Sequence, residues 1–457
     1  MVHDRTVVLE DVREAALRPM GRSGWRFWAL AGVLALVVVV GAGAYVYQLI
    51  GGLGTAGYYD RGFWGIYEAN LVAFIGVSYG GALVSAILRL TQARWRAPIT
   101  RLAEAMAVFS LLVGAAFAVI HLGRPDRMWE LVTRPQASSP IVWDFVAVMT
   151  YLVATLVFLS LPLIPDVAVL RDRFSGTAGW RRRLYGALSL NWRGKPGQRR
   201  LLEQSVTAVA ILIIPIAVLV HSVLSWAFAV NSRPGWDSTI FAPYFVVAAL
   251  FSGVAMVILV VAGFRKAYHL ERYIEPKHFR YLAFLMLTLD LLYLYFTFTE
   301  LLTEGYTLNE QVTPILTQLL AGQYAPFFWL FVVGAGIVPL LLVALPRTRT
   351  VPGIVTASAL VVAGMWLKRL LIVVPAVAAP LISGDWGSFR PTWVALSITL
   401  AGAAAIPLLL MIFFKFFPIL SIYEMEEMAA EPVLEPTMSE PAVPELVTAG
   451  VVERGIR

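Results

Sequence analysis

Ten separate apolar runs, each about 20 residues long, constrain this chain more than any other feature. They lie near residues 26–50, 66–89, 103–122, 141–164, 205–229, 241–264, 280–303, 325–345, 353–378 and 392–417. A run of that length matches the roughly 30 Å hydrocarbon core of a bilayer. Lipid supplies no hydrogen bonds, so an open-ended crossing segment must satisfy its own backbone, and only a helix does so. The expected fold class is an all-α polytopic integral membrane protein with about ten transmembrane helices. No small-residue cleavage site follows the first run, which therefore reads as a retained span and not a removed signal. Residues 1–25 form an N-terminal segment, 26–418 the membrane domain and 419–457 an acidic, proline-bearing tail expected to be irregular and without chemistry.

The basic residues orient the bundle. With the N-terminus inside, 28 of the 36 Lys and Arg fall in inner segments and 6 in outer loops. That asymmetry predicts cytoplasmic N- and C-termini in a bacterial inner membrane. The net charge of +7 is thus a topology signal and no reason to expect nucleic acid. The inner segment 166–203 carries nine of these residues, Arg181-Arg182-Arg183 among them. It reads first as a surface beside anionic membrane lipids, second as a dock for a partner subunit. The chain has no cysteine, which excludes disulfides, Cys-ligated iron–sulfur clusters and covalently attached haem. Five histidines (His3, His121, His221, His269, His278) leave little room for metal chemistry.

Ionisable side chains inside spans are costly and usually face a bundle interior or a wet path. At about 1.5 Å per residue, most of those here fall in the outer half. His121 ends span three at an Arg124-Pro125 break, and Asp144 lies about one turn into span four at the same face. Glu68 opens span two beside Asn70. His221 lies in the outer third of span five, Lys368 and Arg369 two thirds of the way out along span nine, Glu300 near the outer end of span seven and Asp290 near its middle. Each has a plainer reading. His121 can cap its helix, Asp144 can sit on a helix dipole, Arg124 can snorkel, and Asp290 can ion-pair with Lys368–Arg369.

A histidine and a carboxylate at one membrane face, with no nucleophile motif, suit quinol oxidation. A quinol loses two protons with its two electrons, so its hydroxyls need nearby bases. His121 and Asp144 are the expected catalytic pair, with Glu68, Arg124, His221, Lys368 and Arg369 as quinol-binding candidates. Asp290, Glu300 and Glu104 are candidates for a proton path. With no redox centre in the chain, the electrons must pass to another subunit. Bis-histidine haem b between His121 and His221 is a competing use of the same residues.

Ten spans, His121-Leu122-Gly123-Arg124-Pro125 closing span three and Trp143-Asp144 opening span four resemble the NrfD/PsrC family of quinone-interacting membrane subunits. Within it, the length and the long basic loop are most similar to the ActC-like subunits of bacterial alternative complex III. The resemblance covers roughly residues 26–418. It implies two four-helix bundles, spans two to five and six to nine, flanked by spans one and ten; periodicity alone does not show this. It also implies menaquinol or ubiquinol bound near the periplasmic face by residues matching His121 and Asp144. Electrons would go to an iron–sulfur protein subunit on the periplasmic side and then to c-type cytochrome subunits, with a second NrfD-like membrane subunit alongside. This chain itself would bind no haem, iron–sulfur cluster or metal. Two rivals remain at this stage. One is a secondary transporter or ion-translocating subunit, which would show Gly/Pro-broken spans in matching halves. The other is an ActF-like anchor that binds no quinol.

Overall fold

A computed structural model describes residues 2–430 apart from 22, 61, 175–178, 232 and 381–383, with side chains from residue 10 to 428. Ten helices are long and apolar enough to cross a bilayer. They are α1 Trp25–Gly51, α2 Ile66–Leu90, α3 Ala97–His121, α4 Pro140–Arg173, α5 Pro196–Ala229, α6 Phe241–Ala267, α7 Pro276–Thr307, α8 Ala325–Ala344, α9 Val351–Ala378 and α10 Trp393–Phe413. Every apolar run became one helix, and the described residues contain no strand beyond an isolated bridge, Tyr59 to Gly62.

Helices α2 to α5 close into one four-helix bundle and α6 to α9 into a second, while α1 and α10 pair outside them and lean on α3. The flanked double bundle is therefore as expected. α2 is enclosed on nearly every side and α1 faces mostly outward, so α2 is the post around which the bundles join. It meets α6 where Gly80 and Gly253 face each other. A Cβ on Gly80 would lie 2.2 Å from the Gly253 Cα, so the backbones touch. Apolar burial drives little association in lipid, and close backbone packing through small residues takes its place.

Hydropathy marks where a helix leaves the lipid, not where it stops. α3 begins six residues before its apolar run, α4 runs on to Arg173, and α5 starts at Pro196. The segment 166–203 is hence mostly helical, with a further short helix at Trp180–Leu188, and is not one long loop. α5 and α9 stay continuous through Pro215 and Pro375, and the irregularity in α8 is a π-helical stretch, Val332–Ile337, just before Pro339. That is not the paired breakage a transporter reading expects.

The tail needs a correction. Ile422–Ala430 is a helix, and Glu424, expected in an irregular acidic tail without chemistry, is buried. Its carboxylate pairs with Arg89 and, at 2.8 Å, with Arg96, and accepts from Thr100 at 3.1 Å. Beside it, the fully buried Arg101 meets Asp166 at 3.0 Å, and Asp166 accepts the Ile422 and Tyr423 backbone N–H groups. A carboxylate is the natural partner for a helix N-terminus, so Asp166 fastens the C-terminal helix to α3 and α4. Glu431, Glu435, Glu440 and Glu445 lie outside the described residues.

Two outcomes follow from this packing. Gly80→Leu should drive α2 from α6 and cost about 1–3 kcal/mol or prevent assembly, read as a lower Tm in detergent. Asp166→Ala strands a buried arginine and should cost about 3–5 kcal/mol, with early protease cleavage near Ser421 as its local signature.

Candidate functional site

The ends of α2 and α3 opposite the chain termini form the most developed polar corner. α3 stops at His121 because Gly123 takes a left-handed φ of +65°, and Pro125 then cannot continue a helix. A side chain on Gly123 would strike Leu53 at 2.9 Å, so the turn is tight as well as left-handed. α2 starts with Glu68 in its first turn, and Oε2 reaches back to accept the Gly65 N–H at 2.7 Å. The other oxygen, Oε1, lies 2.5 Å from Nδ1 of His121. Neither of those two atoms has another partner among the described residues. Glu68 is nearly buried and His121 is 25% exposed, so the pair is rooted in protein and open on the histidine side.

Three aromatic rings and a glutamine hold the pair in place. Tyr58 donates to Glu68 Oε2 at 3.4 Å and accepts the Tyr67 N–H at 2.9 Å. Its ring lies 5.6 Å from the His121 ring and 5.7 Å from Phe389, ahead of α10. Burial, with the Glu68 charge beside it, lifts the Tyr58 phenol well above its ordinary range, so it is a neutral donor. Tyr67 donates to Gln48 Oε1 at 2.6 Å, and Gln48 donates on to the Ile120 carbonyl at 3.1 Å. One buried glutamine of α1 thereby fixes the relative height of α2 and α3. Sequence reasoning missed Tyr58, Tyr67, Gln48 and Phe389; polar residues near the ends of apolar runs were the available signal.

Other expected residues fall elsewhere. Asp144 is half-buried at the start of α4, and no hydrogen bond or ion pair joins it to His121; the partner of His121 is Glu68. Arg124 is exposed and held by Asp126 at 3.0 and 3.1 Å. That hydrogen-bonded pairing raises the arginine and lowers the aspartate. His221 is buried against Tyr79, ring centres 4.6 Å apart, at the seam of the two bundles. Tyr79 lies eleven residues along α2 from Glu68, about 16 Å, so His121 and His221 cannot share one iron. Arg369 of α9 is at the same seam, donating to the Met365 carbonyl at 2.7 Å and to Ser252 at 2.9 Å; Gly76 leaves it room, and its Nε has no partner. Glu104 is at the opposite end, accepting from Ser85 at 2.7 Å.

The second bundle carries a different arrangement. Asp290, Tyr293, Thr297, Glu300 and Glu304 recur at intervals of three and four, which puts them on one face of α7. Tyr293 stacks on Tyr244 at 4.8 Å, and Tyr244 shares a 2.7 Å hydrogen bond with Thr297. Lys368 lies between the rings of Tyr244 and Phe331, with Glu300 and Glu304 as its charged neighbours. Asp290 Oδ1 is buried without a hydrogen-bond partner among the described residues, and the expected ion pair of Asp290 with Lys368 or Arg369 is not formed.

Comparison with known proteins agrees with this architecture. Residues 54–380 match the family model described as polysulphide reductase, NrfD. The chain is 30% identical over 430 residues to a putative dimethyl sulfoxide reductase membrane subunit of Halobacterium salinarum, covering 89% of this chain and 94% of that one. It is 27% identical to a selenate reductase subunit of Mesobacillus selenatarsenatis, covering 77% of this chain and 83% of that one. It is 24% identical to an Hdr-like menaquinol oxidoreductase integral membrane subunit of Archaeoglobus fulgidus, over 76% and 79%. With a family match over most of its length and a relative spanning nearly all of it, this chain belongs to the NrfD, or polysulphide reductase, family of membrane subunits.

Proposed function

We propose that this chain is the quinol-oxidising membrane subunit of a multisubunit oxidoreductase, with the quinol headgroup at the Glu68–His121 corner. The supporting observation is that pair itself: a carboxylate rooted in the protein holds Nδ1 of a histidine whose side chain is 25% exposed. Family membership adds weight, since one relative is named a menaquinol oxidoreductase subunit. His121 Nε2 takes the proton of one quinol hydroxyl, and the Glu68 carboxylate at Nδ1 stabilises the imidazolium that forms. Asp144, on the next helix at the same end, receives the second proton. Two electrons leave with those protons, and the cysteine-free chain passes them to an iron–sulfur partner subunit at that face. The charge asymmetry of the loops makes that face the periplasmic one and the termini cytoplasmic.

The resemblance to ActC-like subunits suggests c-type cytochromes and a second NrfD-like subunit beyond that partner. The names of two relatives, dimethyl sulfoxide reductase and selenate reductase, favour a terminal reductase instead, and we take that as the leading acceptor. The α7 stripe from Asp290 to Glu304 supports a proton path from mid-membrane to the outer surface.

In the assembled complex, His121→Ala should lower quinol oxidation about a hundredfold or more, and Glu68→Gln at least tenfold. Arg124→Ala should stay within twofold of wild type, because its partner is Asp126. Unchanged turnover in His121→Ala at matched assembly defeats the reading and leaves an anchor. Asp290→Asn should retain quinol oxidation but lower the protons released per electron in proteoliposomes, and an unchanged ratio removes the α7 path.

A further inference from the structure

A large cavity lies away from the histidine corner. It is a groove of about 1280 Å³ between α1 and α10 on one side and α6 and α9 on the other. Its floor is at Arg369, Ser252 and Thr399, and its mouth at the membrane surface that bears the chain termini. Along α6 the lining runs from Ser252 to Lys266, about 21 Å at 1.5 Å per residue. That length covers more than one leaflet of the roughly 30 Å hydrocarbon core. The volume exceeds the roughly 300–1,000 Å³ of ordinary small-molecule pockets. Its walls are apolar, with Phe27, Phe74, Met256 and Leu400 among them.

Charge sets this groove apart from ordinary lipid contact. Arg18, Arg26, Lys266 and Lys415 line the mouth, and no Asp or Glu is among the lining residues. Arg18 donates to the Tyr268 and His269 carbonyls, and Lys415 to those of Pro19 and Gly21. These neutral acceptors position the cations without neutralising them. Arg26 and Lys266 are exposed, and none of the four is ion-paired among the described residues.

We propose that this groove is a binding site for one anionic phospholipid of the bilayer. Its phosphate sits among Arg18, Arg26, Lys266 and Lys415, and its apolar chains lie along α6 and α10. Basic pockets between transmembrane helices recruit acidic headgroups in this way. A neutral prenylated quinone fits the charge less well, because seating its ring at Arg369 would lay the apolar tail across four cations. The site does not depend on where the quinol binds.

The test is carried out on the intact complex, delipidated in detergent and titrated with phosphatidylglycerol or phosphatidylcholine. Native mass spectrometry and Tm are the readouts. Phosphatidylglycerol should be retained and should raise Tm, whereas phosphatidylcholine should do neither. Arg26→Ala with Lys266→Ala should weaken the binding roughly thirtyfold, about fivefold per cation; neither side chain makes a hydrogen bond that folding needs. Lys277→Ala, on the same face but outside the groove, is the control and should change nothing. Equal retention of both lipids, or loss of binding in the control, overturns the proposal. So does a quinone analogue that displaces the bound lipid. A Leu400→Cys photo-crosslinker, unambiguous in a chain without cysteine, that captures a partner polypeptide in place of lipid overturns it as well.

Discussion

A polar group inside a bilayer has no water to fall back on, and this one cost orders the whole molecule. Backbone groups answer it by forming ten helices. Side chains answer it by meeting one another where helices cross, so the position of each buried charge records a contact between spans. Asp166 with Arg101 and Glu68 with His121 each join successive spans, and Glu424 with Arg89 ties the C-terminal helix to the second span. They lie toward helix ends, where the headgroup region lowers the penalty. The middle of the membrane keeps few: His221 on Tyr79, Arg369 on Ser252, and Asp290. Asp290 Oδ1 has no hydrogen-bond partner among the described residues, and neither has Arg369 Nε; ionisable groups so placed inside a membrane are candidates for function as well as for packing.

The spans were legible in the sequence because bilayer thickness is a ruler that length and hydropathy measure directly. All ten runs mark helices, and the family resemblance resting on the His121–Pro125 motif agrees with the family match. The ends were less legible. α4 and α5 continue into the headgroup zone with polar residues that hydropathy scores as loop, although Asp166 and Arg101 neutralise each other there. The acidic tail failed for the same reason: composition made Glu424 look solvated, and only the fold brings it to Arg89 and Arg96.

The histidine corner shows where one-dimensional reasoning stops. Depth along each span put Glu68, His121 and Asp144 at one face, and all three lie at that end of the bundle. Depth carries no lateral information, so a shared face and the family resemblance made Asp144 look like the partner of His121. The α2–α3 seam is the tighter one, and it set the pairing of His121 with Glu68 instead. Gln48 and Tyr67 were invisible for a related reason. A lone glutamine in an apolar run reads as an interruption until a tyrosine from another helix is shown to reach it.

The two bundles share an architecture and use it differently. In the first, polar groups gather at both ends of the bundle, and at the end opposite the chain termini a partly exposed histidine is held by a buried carboxylate. In the second, they run as a line along α7, from a buried carboxylate to an exposed end, beside a π-helical stretch of α8 of the kind often found at functional positions. The seam between them is built from Gly80 and Gly253, with Tyr79, His221 and Arg369 at its polar centre. Backbone contact at the glycines leaves the bundles little room to slide, and those three side chains put polar groups inside an otherwise apolar contact. Under the function proposed here, quinol chemistry at the surface of the first bundle and a proton line in the second would act on each other electrostatically across that close-packed seam.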